Sequence, residues 1–240
     1  LHNYEEVEKL GLKVGDSVFL KRAGEVIPKI ISVAVSLDSD ESGLTRILPP
    51  EFCPSCETRI VKDEDKVRYY CPNSYACPAQ MWEKIAFAVG KQGFNIDGFW
   101  VKQAELFLEL WFIKNLWDIF RLKNQREKIL ELEGFKEKSV NNLLEAIEKV
   151  RNTGVITFLK ALGIPGVGKK TAKTLGKYIS ERDRSLETGL WGFSQEELEN
   201  LPDIGPEVAK SVREFFTEQS LMIEDLLGEV NIEFSLKHSQ

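Results

Sequence analysis

No stretch of this 240-residue sequence stays apolar for the eighteen or so residues that a membrane-spanning helix needs. The N-terminus has none of the basic-then-apolar layout of a secretory signal. The first absence sets aside a protein that spans the membrane by helices. An initiator methionine is lacking too: the sequence opens on "LHNYEEVEKL" and reads as a piece of something longer. Cysteine is scarce, with four residues, and proline is sparse, with nine. What remains is a globular composition, 42% hydrophobic and 29% charged, long enough for one large domain or two to three small ones.

Charge of one sign is missing from a single window. Residues 151–180 contain Arg151, Lys160, Lys169, Lys170, Lys173 and Lys177 and no acid, a local +6. Residues 181–240 carry fourteen acids against five Lys or Arg, a local −9. The net charge of −6 argues against a polyanionic partner at face value. A polyanion meets the local field, however, and here one segment is strongly positive.

The chain has three textures. Residues 14–37 read as a β-hairpin: Val14 to Arg22 and Val26 to Leu37 are β-branched-rich runs around Ala23-Gly24-Glu25. Pro28 marks an edge or a bulge, and Lys21, Arg22 and Lys29 flank the turn. Residues 49–80 hold all four cysteines as Cys53-x2-Cys56, fourteen residues, then Cys71-x5-Cys77. Four thiolates suit a closed, tetrahedral, structural Zn²⁺ site that staples a segment with no core of its own. The alternative is two disulfides, and no secretory signal places the chain where these form. From Ala79 onward, "QREKILEL", "KSVNNLLEAIEKV" and "PEVAKSVREFF" show helical periodicity, an all-α stretch over about two-thirds of the chain.

A repeat lies inside the helical part. "IDGFWVKQA" from Ile96, "LEGFKEKSV" from Leu132, "IPGVGKKTA" from Ile164 and "LPDIGPEVA" from Leu201 share one pattern. An apolar residue precedes a turn position (Gly98, Gly134, Gly166, Asp203), and six residues after the turn comes Ala104, Val140, Ala172 or Ala209. The turn positions are 36, 32 and 37 residues apart, which describes a helix–hairpin–helix unit. Backbone N–H groups at such a hairpin and at the following helix start form an anion site. Several in a row suit a polymer of phosphates. The third hairpin, with Gly166, Gly168, Lys169, Lys170 and Lys173, is the best placed, both glycines being read as turn residues. The fourth keeps Gly205 but has acidic company in Asp203 and Glu207. A P-loop would need Ser or Thr after Lys169 and a strand before the loop; Lys170 and the helical "FLKAL" stand there instead.

Together these residues resemble the C-terminal half of a bacterial NAD⁺-dependent DNA ligase. The "LHN…VGDSVFLKRAGEVIPKI" run is similar to that family's oligonucleotide-binding (OB) barrel, the cysteine spacing to its zinc finger, and the repeats to its tandem helix–hairpin–helix domain. The resemblance implies a multidomain fold: a partial all-β OB barrel over 1–49, a small four-cysteine zinc finger over 50–80 and an all-α module over 81–240. It also implies a bacterial, cytoplasmic, nucleoid-associated protein serving replication and repair. Its partners would be nicked duplex DNA, gripped without sequence preference, and an N-terminal adenylation domain of the same protein. Lys21, Arg22, Gly24 and Lys29 would lie along the duplex, and Gly98, Gly134, Gly166, Gly168, Lys169, Lys170, Lys173 and Gly205 would meet backbone phosphates. Cys53, Cys56, Cys71 and Cys77 would hold zinc between the two parts. The family's attacking lysine lies in a K-x-D-G motif; "NIDG" at Asn95–Gly98 has asparagine in that place. NAD⁺ and Mg²⁺ therefore belong to the intact enzyme, and this chain is expected to be inactive alone, with no catalytic residue and no BRCT domain. The alternative is a non-enzymatic adaptor that binds DNA or protein.

Overall fold

The structure, a computed structural model of the chain, describes residues 3–23, 27–34, 44–62, 67–74, 76–182 and 192–234. It divides into two compact units, Leu1–Pro78 and Ala79–Gln240.

The first unit begins with helix α1 (Tyr4–Lys9), whose N-terminus is capped by Asn3 accepting from the Glu5 and Glu6 amides. Strands β2 (Val18–Ala23) and β3 (Ile27–Val33) form an antiparallel ribbon with a register shift between Phe19 and Leu20. This is the expected hairpin, but its first strand is shorter. Val14 belongs to β1 (Lys13–Val14), which pairs with β4 (Thr45–Arg46). Gly15, at φ +100°, turns the chain between β1 and β2, and the Asp16 carboxylate accepts from the Lys13 amide to hold that turn. The hairpin tip with Gly24, and the end of its second run at Leu37, lie outside the described residues. Phe19, Leu20 and Ile31 stand exposed on the two-stranded ribbon, which no second layer covers among the described residues. The cysteine segment adds β5 (Val61–Lys62) paired with β6 (Tyr69–Tyr70). Among the described residues the unit buries only Val7, Leu12, Cys53 and Cys77 from its apolar set.

The second unit is helical around one apolar core. In chain order it contains α2 (Pro78–Val89), α3 (Val101–Glu109), a 3₁₀ run Leu116–Gln125, α4 (Arg126–Leu130) and α5 (Glu137–Arg151). Then follow α6 (Val155–Ala161), α7 (Lys169–Arg182), α8 (Gln195–Glu199), α9 (Pro206–Glu218) and α10 (Ser220–Leu227). Phe107, Phe120, Phe158, Phe216, Leu175 and Ile179 are fully buried among them. The helix expected over "QREKILEL" is only the five residues of α4, because the preceding turns are 3₁₀. Leu116, Ile119 and Leu122 are buried at a spacing of three, the period of that tighter helix. The all-α expectation also misses one feature. Strand β7 (Asn152–Gly154) pairs in parallel with β8 (Asn231–Glu233), tying the end of the described chain to the α5–α6 junction.

Candidate nucleic-acid interface

The four hairpins have one backbone. Gly98, Gly134, Gly166 and Asp203 all lie in the left-handed region, at φ +72°, +85°, +79° and +63°. The next residue's amide donates back across each turn: Phe99 to Ile96 (3.2 Å), Phe135 to Leu132 (3.1 Å), Val167 to Ile164 (3.0 Å) and Ile204 to Leu201 (3.3 Å). Two residues past each turn a carbonyl accepts the first helical bond: Trp100 from Ala104, Lys136 from Val140, Gly168 from Ala172 and Gly205 from Ala209, at 2.9–3.1 Å. Those four donors are the small or apolar residues of the repeat, and each is completely buried. Asp203 thus holds a conformation that costs an L-residue about 1–2 kcal/mol, which its short polar side chain tolerates better than most.

The hairpins also form two pairs, which the sequence pattern did not disclose. Three residues before the turn, Asn95 and Gly163 are left-handed (φ +55° and +65°), whereas Glu131 and Asn200 are right-handed. Repeats one and three are alike, as are two and four. The third hairpin packs on the fourth repeat's helix: a Cβ on Gly166 would sit 3.3 Å from Val208, and the Ser211 hydroxyl donates to the Pro165 carbonyl at 2.7 Å. In the first pair, residues Gly98, Trp100 and Gln103 line a groove with Ser139, Leu143 and Ala146 of α5.

The anion-binding capacity of the hairpins differs. In the third, the Gly168 amide and the first-turn amides of α7 find no acceptor among the described residues, and no carboxylate there pairs with the exposed Lys169, Lys170 or Lys173. Gly168 is open: nothing lies within 4 Å of a Cβ built on it, and its φ is not left-handed. Its reading as a turn glycine is corrected accordingly. Gly166 alone takes the turn, and Gly168 leaves an approach to the backbone amides. The fourth hairpin has Gly205 equally open, but Pro206 at the first helical position offers no N–H, and Glu207 follows. In the first and second hairpins the equivalent amide is already used: Trp100 N–H donates to Gln103 Oε1 (3.0 Å) and Lys136 N–H to Ser139 Oγ (3.0 Å).

One member of the positive window is not available to a ligand. Arg151 is 15% exposed and donates to the Glu229 carboxylate (3.0 Å), the Glu148 carboxylate (3.0 Å) and the Phe120 carbonyl (2.6 Å). Arg121 grips the same Glu229 at 2.6 Å. Burial alone would raise the Glu229 carboxyl; the hydrogen bonds from Arg121 and Arg151 outweigh it and hold the group below its ordinary value. Arg151 is a clamp for the β7–β8 strap. The field at the third hairpin comes from the lysines.

In the first unit, β2 and β3 bring Lys21 directly opposite Lys29, a like-charge pair that favours an anion over the ribbon. Lys29 also meets Glu6 at 3.8 Å, an exposed pair of small energetic weight. Arg22 lies opposite Pro28 in the same register.

The four cysteines converge, and their sulfurs all lie within 4.8 Å of one another. Cys53 and Cys77 are 3.9 Å apart and Cys56 and Cys71 3.5 Å, too far for disulfide bonds. Four sulfurs on a tetrahedron at Zn–S bond length would be about 3.8 Å apart, so the cluster fits zinc. The Cys53-x2-Cys56 turn is closed by Glu57 N–H donating to Cys53 C=O (2.8 Å), with Glu57 left-handed at φ +57°. Asn73 donates to the Thr58 hydroxyl (3.3 Å), joining the two cysteine pairs. The Thr58 hydroxyl, 3.3 Å from Cys56 Sγ, and its backbone amide hold that thiol down to about 6, which favours the thiolate a metal needs. Lys62 bonds Glu5 at 2.8 Å and Tyr4 meets Tyr69 edge-on at 5.4 Å, so the finger packs against α1.

The same three segments are found in known proteins. Residues 1–42 match the NAD-dependent DNA ligase OB-fold domain, 52–79 the NAD-dependent DNA ligase C4 zinc finger domain, and 157–222 the helix-hairpin-helix motif. A DNA ligase of Mycoplasmopsis pulmonis is 36% identical over 90% of this chain and 31% of its own length. A DNA ligase of Chlorobaculum parvum is 36% identical over 91% of the chain and 31% of its length. One of Clostridium botulinum (strain Langeland) is 36% identical over 95% and 33%. The chain spans about a third of the length of these relatives.

Proposed function

We propose, on the premise that the chain corresponds to the C-terminal half of an NAD-dependent DNA ligase, that it is the part that grips nicked duplex DNA while an adenylation domain of the same polypeptide seals the break. The observation that carries this reading is the fourfold identity of the hairpins: one turn geometry and one helix-capping bond, presented at intervals along one apolar core. Where its amides are open, such a hairpin holds a phosphate, and phosphate contacts position a protein on DNA without reading its sequence.

Within this reading the roles are unequal. The third hairpin is the principal phosphate site, through the open amides at Gly168 and the charges of Lys169, Lys170 and Lys173. The fourth contributes through Gly205, weakened by Pro206 and its acids. Gly98 and Gly134 shape the first two hairpins. Lys21, Arg22 and Lys29, with the tip at Gly24, follow the duplex from the OB ribbon. Zinc, when bound to Cys53, Cys56, Cys71 and Cys77, neutralises four thiolates and fixes the finger; it takes no part in sealing. NAD⁺ and Mg²⁺ serve adenylation and nick closure elsewhere in the protein, and the setting is replication and repair in the bacterial cytoplasm.

The test is an anisotropy titration of the chain on nicked duplex across several salt concentrations. Binding falls steeply with salt, is indifferent to sequence, and Lys170→Ala flattens the log–log slope by about 0.9. Salt-independent binding, or none at all, sinks the reading. Incubation with NAD⁺ leaves the chain without AMP; an AMP adduct in the mass spectrum overturns the division of labour.

A further inference from the structure

The position two residues past each turn is occupied by Gly168 and Gly205 in the third and fourth hairpins, Lys136 in the second and Trp100 in the first. In every case it is the residue whose carbonyl starts the next helix, so its side chain, or the gap left by glycine, stands at the mouth of the proposed anion site. Two mouths are open and one carries a cation. The first carries an indole that is 71% exposed, next to the exposed Val101.

Backbone chemistry there does not favour phosphate. The Trp100 amide is held by Gln103, and the Gln103 amide bonds the Trp100 carbonyl at 2.9 Å. Asp97, exposed within the turn, adds negative charge. The Trp100 ring and the neighbouring Val101 present apolar area at this mouth, and covering it with a ligand is favourable. The surface of duplex DNA that is neither phosphate nor paired base edge is the C–H face of deoxyribose, which lines the minor groove beside the backbone. We propose that the first hairpin meets DNA through the Trp100 indole packed on deoxyribose, and not through a phosphate. This rests on the DNA-gripping function proposed above. The contact supplies affinity that salt does not screen, and it gives the first repeat pair a role distinct from the lysine-rich second pair.

An internal control is present. Trp111, just past the other end of α3, is 73% exposed, and Lys114 Nζ lies over its ring at 5.6 Å from the centroid. The nine residues of α3, about 13 Å of helical rise, lie between it and Trp100. An equally exposed indole at that distance from the hairpin mouth has no part in the contact.

The experiment uses the whole 240-residue chain and nicked duplex, with folding checked by circular dichroism. Trp100→Ala weakens binding about tenfold with the salt slope unchanged, as loss of an aromatic contact does; Trp100→Phe retains most of the affinity, and Trp111→Phe binds like the parent. DNA shifts the indole emission of the parent, and Trp100→Phe loses that shift although the other four tryptophans remain. Parental affinity in Trp100→Ala, the result expected were the indole to serve a protein surface, overturns the proposal. So does a slope that falls along with affinity, or an emission that ignores DNA. Failure of the parent chain itself to bind the duplex condemns the DNA reading rather than the role of Trp100.

Discussion

The zinc finger and the hairpin module both force non-glycine residues into left-handed turns, Glu57 in one and Asp203 in the other, and they hold those turns by opposite means. Among its described residues the finger has almost no core: Cys53 and Cys77 are buried, but the strands around them are two residues long and largely exposed. Its turn is fixed by sulfur positions that a metal defines. Each hairpin turn sits over a completely buried small or apolar residue, Ala104, Val140, Ala172 or Ala209, within a continuous core. The difference teaches where each region is vulnerable. A chelator reaches the first, and only changes in packing or backbone reach the second.

The largest expected effect is metal removal. Chelation, or Cys71→Ser, abolishes order over residues 50–80, read by hydrogen exchange, while the helical unit keeps its protection and its thermal transition. Loss of helical protection together with zinc would erase the contrast. Next comes Arg151→Met, which removes one of the two arginines on Glu229 and the donor to the Phe120 carbonyl, and costs about 2–3 kcal/mol in the helical unit by denaturant titration. Its salt slope for DNA matches the parent's, because Arg151 is a clamp; a slope reduced by about 0.9 would return it to the binding surface.

Gly166→Ala follows at about 2 kcal/mol, since a left-handed turn gains a Cβ that crowds Val208. The smallest effect is a gain. Asp203→Gly relieves the strained turn, raising stability by about 1 kcal/mol, and removes a carboxylate from the fourth hairpin, so affinity for DNA rises as well. Stability and affinity moving in opposite directions would show that Asp203 is there for another reason.

Much of this is legible in the sequence because its determinants are local. Cysteine spacing specifies the sulfur cluster, and a turn residue followed six positions on by a small one specifies each hairpin, even with aspartate in the turn. What stays hidden is non-local or conformational. The pairing of hairpins shows only in the backbone at Asn95 and Gly163 and in the contact of Gly166 with Val208. The opposition of Lys21 and Lys29 depends on a register shifted by an irregularity at Phe19 and Leu20. Arg151 reads as one cation among six until Glu229, 78 residues later, closes on it. The three-residue strands β7 and β8 are too short to leave a periodic signature. Gly168 reads as a second turn glycine because sequence cannot separate a glycine needed for φ from one needed for access.

That distinction gives the most direct test of the central claim, that the open backbone at the third hairpin holds a DNA phosphate. Gly168→Asp introduces no strain, since the Cβ has room and the backbone is not left-handed. Aspartate is moreover a favoured residue at a helix N-terminus, where its carboxylate accepts the same amides that a phosphate would use. Measured together by thermal melting and by anisotropy on nicked duplex, the variant should be at least as stable as the parent and bind DNA at least about tenfold more weakly, as charge-assisted bonds are replaced by repulsion. A variant as stable as the parent that binds DNA equally well would contradict the claim and leave the hairpin a scaffold.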